Sequence, residues 1–410
     1  MRETRLKWAL VASLVLTVSL AGCSAMGGSF GRWQDVPRTD IPQSSTLFDA
    51  RFESAGQSAL DAIADHRTEH GFPAITAAVA IRGELVWSGA AGWRDLESRL
   101  PADNETVLRV GSTSKAITAT VLARMIDAGE ITLETPLGEI AQWPNAAWNA
   151  LTPRQLTSHT AGFAEYENNT DRAGQYVTLC GCRHYESVRE SLGIFDDANM
   201  LYAPGTQFAY SSFDVNLMGA ALAEVNSTSF LQAIEEHVLT PLDLSSTGGD
   251  ADGVVRPTRA TFYEIDGERA REWRPFDLSQ RWPGGGLVST SEELVVIGSA
   301  WMNDDFISPE TRAAMWEPQT LADGTANAQS YAHGWRYNAD VRHPADPERT
   351  TDIAHHGGVT KGAMSWLIVY PEYDMSVAVN INTRAETFQV FAAVEDEIAA
   401  AFLNALEAQP

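Results

Sequence analysis

The stretch Val110-Gly111-Ser112-Thr113-Ser114-Lys115-Ala116-Ile117 constrains this chain more than any other, because it sets a serine and a lysine one turn apart at the entry of a helix. Beyond it, Ile117, Val121, Leu122, Met125 and Ile126 recur at helical spacing, which predicts an amphipathic helix over Ala116–Ala128 with Gly129 as its stop. Ser112 then lies at the first turn, where free backbone N–H groups and the helix dipole favour developing negative charge. Lys115 projects from the same face and can reach the serine oxygen. Of 29 basic residues only Lys7, Lys115 and Lys361 are lysine. Arginine cannot give up its proton at working pH, so a lysine at 115 in an arginine-rich set reads as a base beside a serine nucleophile. That role requires burial or a cationic neighbour to lower its pKa.

The first residues read as a lipoprotein export signal. Arg2, Arg5 and Lys7 precede the apolar run Trp8–Leu20, and Leu20-Ala21-Gly22-Cys23 is similar to a lipobox, so residues 1–22 are expected to be removed and Cys23 lipidated. An uncleaved anchor or an ordinary secretion signal is the alternative. Ser24 follows the cysteine where an aspartate retains bacterial lipoproteins at the inner membrane, so the resemblance to such lipoproteins implies an outer-membrane address, facing the periplasm. Residues 23–45, with Gly27, Gly28, Pro37 and Pro42, read as a flexible tether. The net charge of −25 argues against nucleic acid or an anionic bilayer surface as partners of the body.

Residues 46–408 are expected to form one body. Leu47–His70 reads as a helix, followed by strands at 75–81 and 84–89 joined at Arg82-Gly83. Helical patterns dominate from about Pro136 to Pro241, including Asn216–Val225 and Ser229–Leu239. Strands return at 364–370 and 375–381, and a last helix is expected over Thr387–Leu406. This order predicts an α+β fold: an antiparallel sheet flanked by the N- and C-terminal helices, with an inserted all-helical lobe spanning about 136–280.

Three further segments carry candidate chemistry. Tyr210, in a loop before the helix that carries Asn216, could shuttle a proton, and a nearby ammonium would ease loss of its phenolic proton. In Ile353-Ala354-His355-His356-Gly357-Gly358, just before the strand at 364–370, the glycines would let a backbone N–H pair with that of Ser112 as an oxyanion hole, and His355 would add a polar group at the mouth. His159 reads as a structural hydrogen-bonder, and Trp282-Pro283-Gly284-Gly285-Gly286 as a turn. Cys180, Cys182 and His184 would share one face of a strand, which leaves a metal site conceivable without an evident fourth ligand. A local disulfide or two thiols in a surface insertion are the alternatives.

Together these segments resemble the serine β-lactamase-like family, from about residue 50 to residue 405: class C β-lactamases, D-alanyl-D-alanine carboxypeptidases, related esterases and D-amino peptidases. Ser112-Thr113-Ser114-Lys115 resembles its first motif, Tyr210-Ser211-Ser212 its Tyr-x-Asn motif, and His355-His356-Gly357 its Lys-Thr-Gly or His-x-Gly motif. Ser158-His159-Thr160-Ala161-Gly162, Arg183-His184-Tyr185-Glu186 and Tyr210-Ser211-Ser212-Phe213 are similar to the mitochondrial serine β-lactamase-like peptidase branch. The resemblance implies a β-lactamase/transpeptidase-like fold and an acyl-enzyme mechanism: Ser112 attacks, Lys115 takes its proton, and Tyr210 protonates the leaving group. Ser112 and Gly358 N–H groups hold the oxyanion, with Gly357 beside them, while Ser212 and His355 line the substrate. No metal or organic cofactor is implied. Two departures matter: Ser212 stands where antibiotic-hydrolysing members carry asparagine, and His355 where they carry lysine. Both point to a peptide, peptidoglycan-fragment or small-ester substrate ahead of a β-lactam. A catalytically silent peptidoglycan sensor is the rival of another class, and an oligomer or filament is compatible with the resemblance.

Overall fold

The computed structural model describes residues 31–196, 199–251, 253–339 and 341–408. Residues 1–22, Cys23 and the start of the expected tether lie outside the described residues. Among the described residues no helix is long and apolar enough to cross a membrane.

The framework is an antiparallel sheet whose strands run, in spatial order, Arg336–Tyr337, Ala354–Thr360, Ala363–Tyr370, Met375–Ile381, Ala74–Ile81, Glu84–Asp95 and Gln43–Leu47. Successive side chains point to opposite faces, and the central Ala74–Ile81 strand is buried on both. Ile75, Ala77, Val79 and Ile81 pack with the terminal helices Glu53–His70 and Phe388–Glu407, where Phe52 and Phe402 meet at 5.7 Å. Ala78 and Ala80 face the other way, into the core shared with helix Ser114–Asp127 and the inserted lobe. Helix Ser291–Ala300 also covers this second face, where the Ser376 hydroxyl donates to the Val295 carbonyl at 2.6 Å. The expected α+β architecture, with terminal helices flanking an antiparallel sheet, is therefore the architecture observed.

The described part of the expected tether is corrected. Gln34–Asp35 pairs with Ala270 and Arg269, and Gln43–Leu47 forms the outer strand against Trp87–Ala91. The polar composition that suggests a tether is that of a short, largely exposed edge strand. The first helix consequently starts at Glu53, after a 3₁₀ turn capped by the Asp49 carboxylate. The inserted lobe is helical from Leu137 to Leu239. Beyond it, short of the expected limit at 280, Tyr263–Asp266 and Arg269–Glu272 form a hairpin. Cys180 closes helix Arg172–Cys180 and is disulfide-bonded to Cys182. His184 turns away to the carboxylate of Asp277 at 2.8 Å, so no strand face carries the three as metal ligands.

Candidate active site

Ser112 lies in a 3₁₀ turn, Gly111–Thr113, that leads directly into helix Ser114–Asp127. Gly111 has φ +53°, and a Cβ there would meet the Val359 nitrogen at 2.9 Å. Only glycine fits both demands. The turn is pressed against strand Ala354–Thr360, where a Cβ on Gly358 would come 1.9 Å from the Val110 carbonyl and 3.0 Å from the Ser112 nitrogen. The Thr113 hydroxyl donates to the His356 carbonyl at 3.2 Å, which ties the nucleophile turn to the strand. The Ile353 carbonyl accepts from the Asn338 N–H at 2.9 Å, so by alternation Val359 turns its backbone toward that same free edge. The expected donor Gly358 turns its own toward strand Ala363–Tyr370, and the N–H beside the Ser112 turn is that of Val359.

Lys115 is fully buried, and its Nζ donates to Ser112 Oγ at 3.2 Å, Ser212 Oγ at 2.9 Å and the Gly284 carbonyl at 2.5 Å. Burial lowers its pKa from 10.5 to about 8. Tyr210 lies beside both groups: Lys115 Nζ is 4.8 Å from its ring centroid, and its side chain hydrogen-bonds Ser112. The expectation that the ammonium would ease loss of the phenolic proton is overturned. Burial outweighs it and pushes the phenol well above its ordinary value.

The ring of Tyr210 is held by His159 at 4.3 Å between centroids. His159 Nδ1 lies 3.0 Å from Asp214 Oδ2 and accepts from the Ser211 N–H at 3.3 Å. Burial pushes the His159 pKa well down and that of Asp214 well up, which favours the uncharged form of each. Asn216 fixes the opposite wall by accepting from the Gly284 N–H at 3.1 Å.

The Lys-Thr-Gly-like motif shifts by one residue. Its segment is a strand, and alternation sends His355 to the face of Trp366, 4.6 Å away, on the side of the terminal helix residue Phe388. His355 therefore does not line the substrate cleft. His356 faces the helical lobe: its Nδ1 donates to the Gly357 carbonyl at 2.8 Å and its Nε2 accepts from Tyr331 at 2.9 Å. Burial, together with Arg336 and Lys115, keeps that imidazole neutral. A Cβ on Gly357 would strike Phe388, so its α-carbon also faces away from the cleft.

A cleft of about 250 Å³ opens above Ser112. Tyr210, Ser212 and Gly284 line it as well, and so do Glu165, Arg281, Lys361 and Arg384, which sequence reasoning did not place there. The one signal available for Lys361 was its rarity, as a lysine in an arginine-rich chain. Arg183, His184 and Tyr185 lie elsewhere: Arg183 pairs with Glu190 at 2.7 Å and Tyr185 is core. Among the described residues no group of His, Cys, Asp and Glu is arranged to hold a metal ion.

The sequence pattern of the family described as Beta-lactamase matches residues 60–401. The chain belongs to the beta-lactamase family. Within it, the chain is similar to the serine beta-lactamase-like protein LACTB, mitochondrial, of Homo sapiens, with 26% identity over 414 residues, 82% of this chain and 75% of the relative. The fold is similar to that of a D-amino acid amidase from Ochrobactrum anthropi SV3, with a TM-score of 0.69 and 18% identity over 87% of this chain and 99% of that one. It is also similar to an octameric penicillin-binding protein homologue from Pyrococcus abyssi, with a TM-score of 0.65 and 19% identity over 82% of this chain and 76% of that one. The chain is thus a beta-lactamase-family protein with a hydrolase fold, built around a serine, a buried lysine and a tyrosine.

Proposed function

We propose that this protein is a serine hydrolase that cleaves an amide or ester bond through an acyl-enzyme on Ser112. The observation that carries the reading is the donor count at Lys115 Nζ. An ammonium spends its three protons on Ser112, Ser212 and Gly284. A neutral amine keeps two for the shorter contacts to Ser212 and Gly284, leaving its lone pair facing the Ser112 hydroxyl. With a pKa of about 8 that form is accessible near neutrality. Lys115 takes the serine proton as Ser112 attacks the carbonyl, and the N–H groups of Ser112 and Val359 hold the oxyanion. Tyr210, which keeps its proton, passes it to the leaving group, and the Lys115 ammonium beside it returns a proton to the phenolate and becomes the amine again. Water then attacks the acyl-enzyme, with Lys115 as base again.

An amide in a peptide or peptidoglycan fragment is the first substrate class, supported by the likeness to a D-amino acid amidase and to a D-stereospecific amidohydrolase from Streptomyces sp.. A small ester is second. Ser212 and the neutral His356 disfavour efficient β-lactam hydrolysis, and the presence of both nucleophile and base disfavours a silent sensor. The test is labelling with a fluorophosphonate and mass-spectrometric mapping of the adduct. It should sit on Ser112 and vanish in Ser112→Ala; an adduct on Ser114 or Ser211 that survives that substitution refutes the assignment.

The lipobox-like Leu20–Cys23 supports a lipid-anchored protein of the bacterial envelope. Labelled palmitate should enter the wild type and not Cys23→Ser, and equal labelling of the two contradicts the anchor.

A further inference from the structure

The wall of the cleft beyond Glu165 gathers positive charge in a chain with 54 acidic and 29 basic residues. One ring, Phe276, organises it: Arg274, Lys361 and Arg281 lie 5.0, 5.2 and 5.5 Å from its centroid. The end of helix Arg172–Cys180 fixes the two arginines. Arg281 donates to the Thr178 carbonyl at 2.8 Å, and Arg274 to the Cys180 carbonyl at 2.7 Å. Arg109, itself paired with Asp250 at 2.7 Å, donates to the Lys361 carbonyl at 2.8 Å and fixes that turn from behind.

Charges placed for stability are normally neutralised, and two at this wall are not. Among the described residues neither Lys361 nor Arg384 has a carboxylate within salt-bridge distance. Glu167 acts on Lys361 only at longer range, and Glu165, the acid that lines the cleft, acts on Arg281. Arg281, Arg384 and Arg274 all act on Lys361, so like charges outnumber the acids here, and an anion entering the cleft relieves their repulsion. Direction follows from the chemistry proposed above. Tyr210 serves the leaving group and sits with His159, Tyr331 and Arg336. Arg281 sits instead on Tyr166, 4.3 Å from its centroid. The leaving group therefore lies toward Tyr210 and the acyl group toward the cations.

We propose that Lys361 and Arg384, backed by Arg281, form an anion subsite that selects substrates with a carboxylate on the acyl side of the scissile bond, such as an acidic peptide reacting at an aspartyl or glutamyl residue. The direction of the carboxylate rests on the serine-hydrolase reading; the anion subsite itself does not.

Two arms separate those claims. In the first, kcat/KM is measured for p-nitrophenyl hydrogen adipate and its uncharged isostere p-nitrophenyl methyl adipate, at low and high salt. The acid should be preferred by about tenfold or more at low salt, the preference shrinking several-fold at about 0.5 M salt as screening predicts. It should fall toward parity in Lys361→Gln/Arg384→Gln. Parity in the wild type, or a preference kept by the double variant, overturns the acyl-side selection. In the second, adipate binding to Ser112→Ala is measured by calorimetry, and should be lost when Lys361→Gln and Arg384→Gln are added. Unchanged affinity in the triple variant, or no adipate binding to Ser112→Ala, overturns the subsite. Adipate binding without p-nitrophenol release from either ester by the wild type overturns the hydrolase reading and leaves the subsite standing.

Discussion

Lys115 Nζ lies 3.2 Å from Ser112 Oγ and nearer to two other oxygens, Ser212 Oγ and the Gly284 carbonyl. Those shorter contacts aim the nitrogen, and complete burial makes its charge costly. The lysine is therefore oriented by neighbours that do not compete for the serine proton.

Replacing the base but keeping the charge should be nearly as harmful as removing both. Lys115→Arg and Lys115→Ala are each expected to lose at least about a hundredfold in turnover of an activated ester, the lower range for general-base catalysis. Purified variants with matched melting temperatures supply the comparison. Substantial activity in Lys115→Arg means that residue 115 supplies only charge.

Gly358→Ala puts a methyl group 1.9 Å from the Val110 carbonyl, so the strand must move away from the nucleophile turn. A destabilisation of about 1–3 kcal/mol is expected, with a larger loss in kcat than in substrate affinity as the neighbouring Val359 N–H is carried away from that of Ser112. Thermal melts and steady-state kinetics read the two effects, and a variant with wild-type kcat contradicts the proposed oxyanion position.

The sequence carried the local part of this site and missed the assembled part. Ser112 and Lys115 are three residues apart on one helix, and i, i+3 proximity needs no tertiary information. Strand 354–360 went unrecognised because Ala-His-His-Gly-Gly-Val-Thr has no alternating apolar pattern, and without the strand the two histidines could not be assigned to opposite faces. Gly284 read as a turn because its contribution is a backbone carbonyl, which no side-chain pattern reveals. Glu165, Arg281, Lys361 and Arg384 arrive at the cleft from four separate parts of the chain, and the cationic wall exists only after folding. The sheet and terminal helices were legible because their apolar periods are strong. The first strand was not, because its residues are mostly polar and exposed.

Burial favours uncharged forms of both His159 and Asp214, and two substitutions test that state. In Asp214→Asn the neutral amide N–H₂ can share the His159 Nδ1 lone pair with the Ser211 N–H as a neutral acid would, so stability should change by less than about 1 kcal/mol. Asp214→Ala removes the donor and should cost about 1–3 kcal/mol. Were the pair ionic, Asp214→Asn would strand a buried imidazolium and cost about 3–5 kcal/mol. Chemical denaturation at neutral pH separates the cases.

The central claim is that neutral Lys115 is the base for Ser112, and the pH dependence of kcat/KM for a non-ionising ester tests it most directly. A lysine whose pKa is lowered to about 8 is a protonated, inactive ammonium below that value and a competent amine above it. The profile for p-nitrophenyl acetate should therefore rise about tenfold per pH unit on the acid side. It should bend near pH 8 and level off above, with the bend absent from the residual rate of Lys115→Ala. A profile flat between pH 6 and 9, or one that falls through pH 8, contradicts the account.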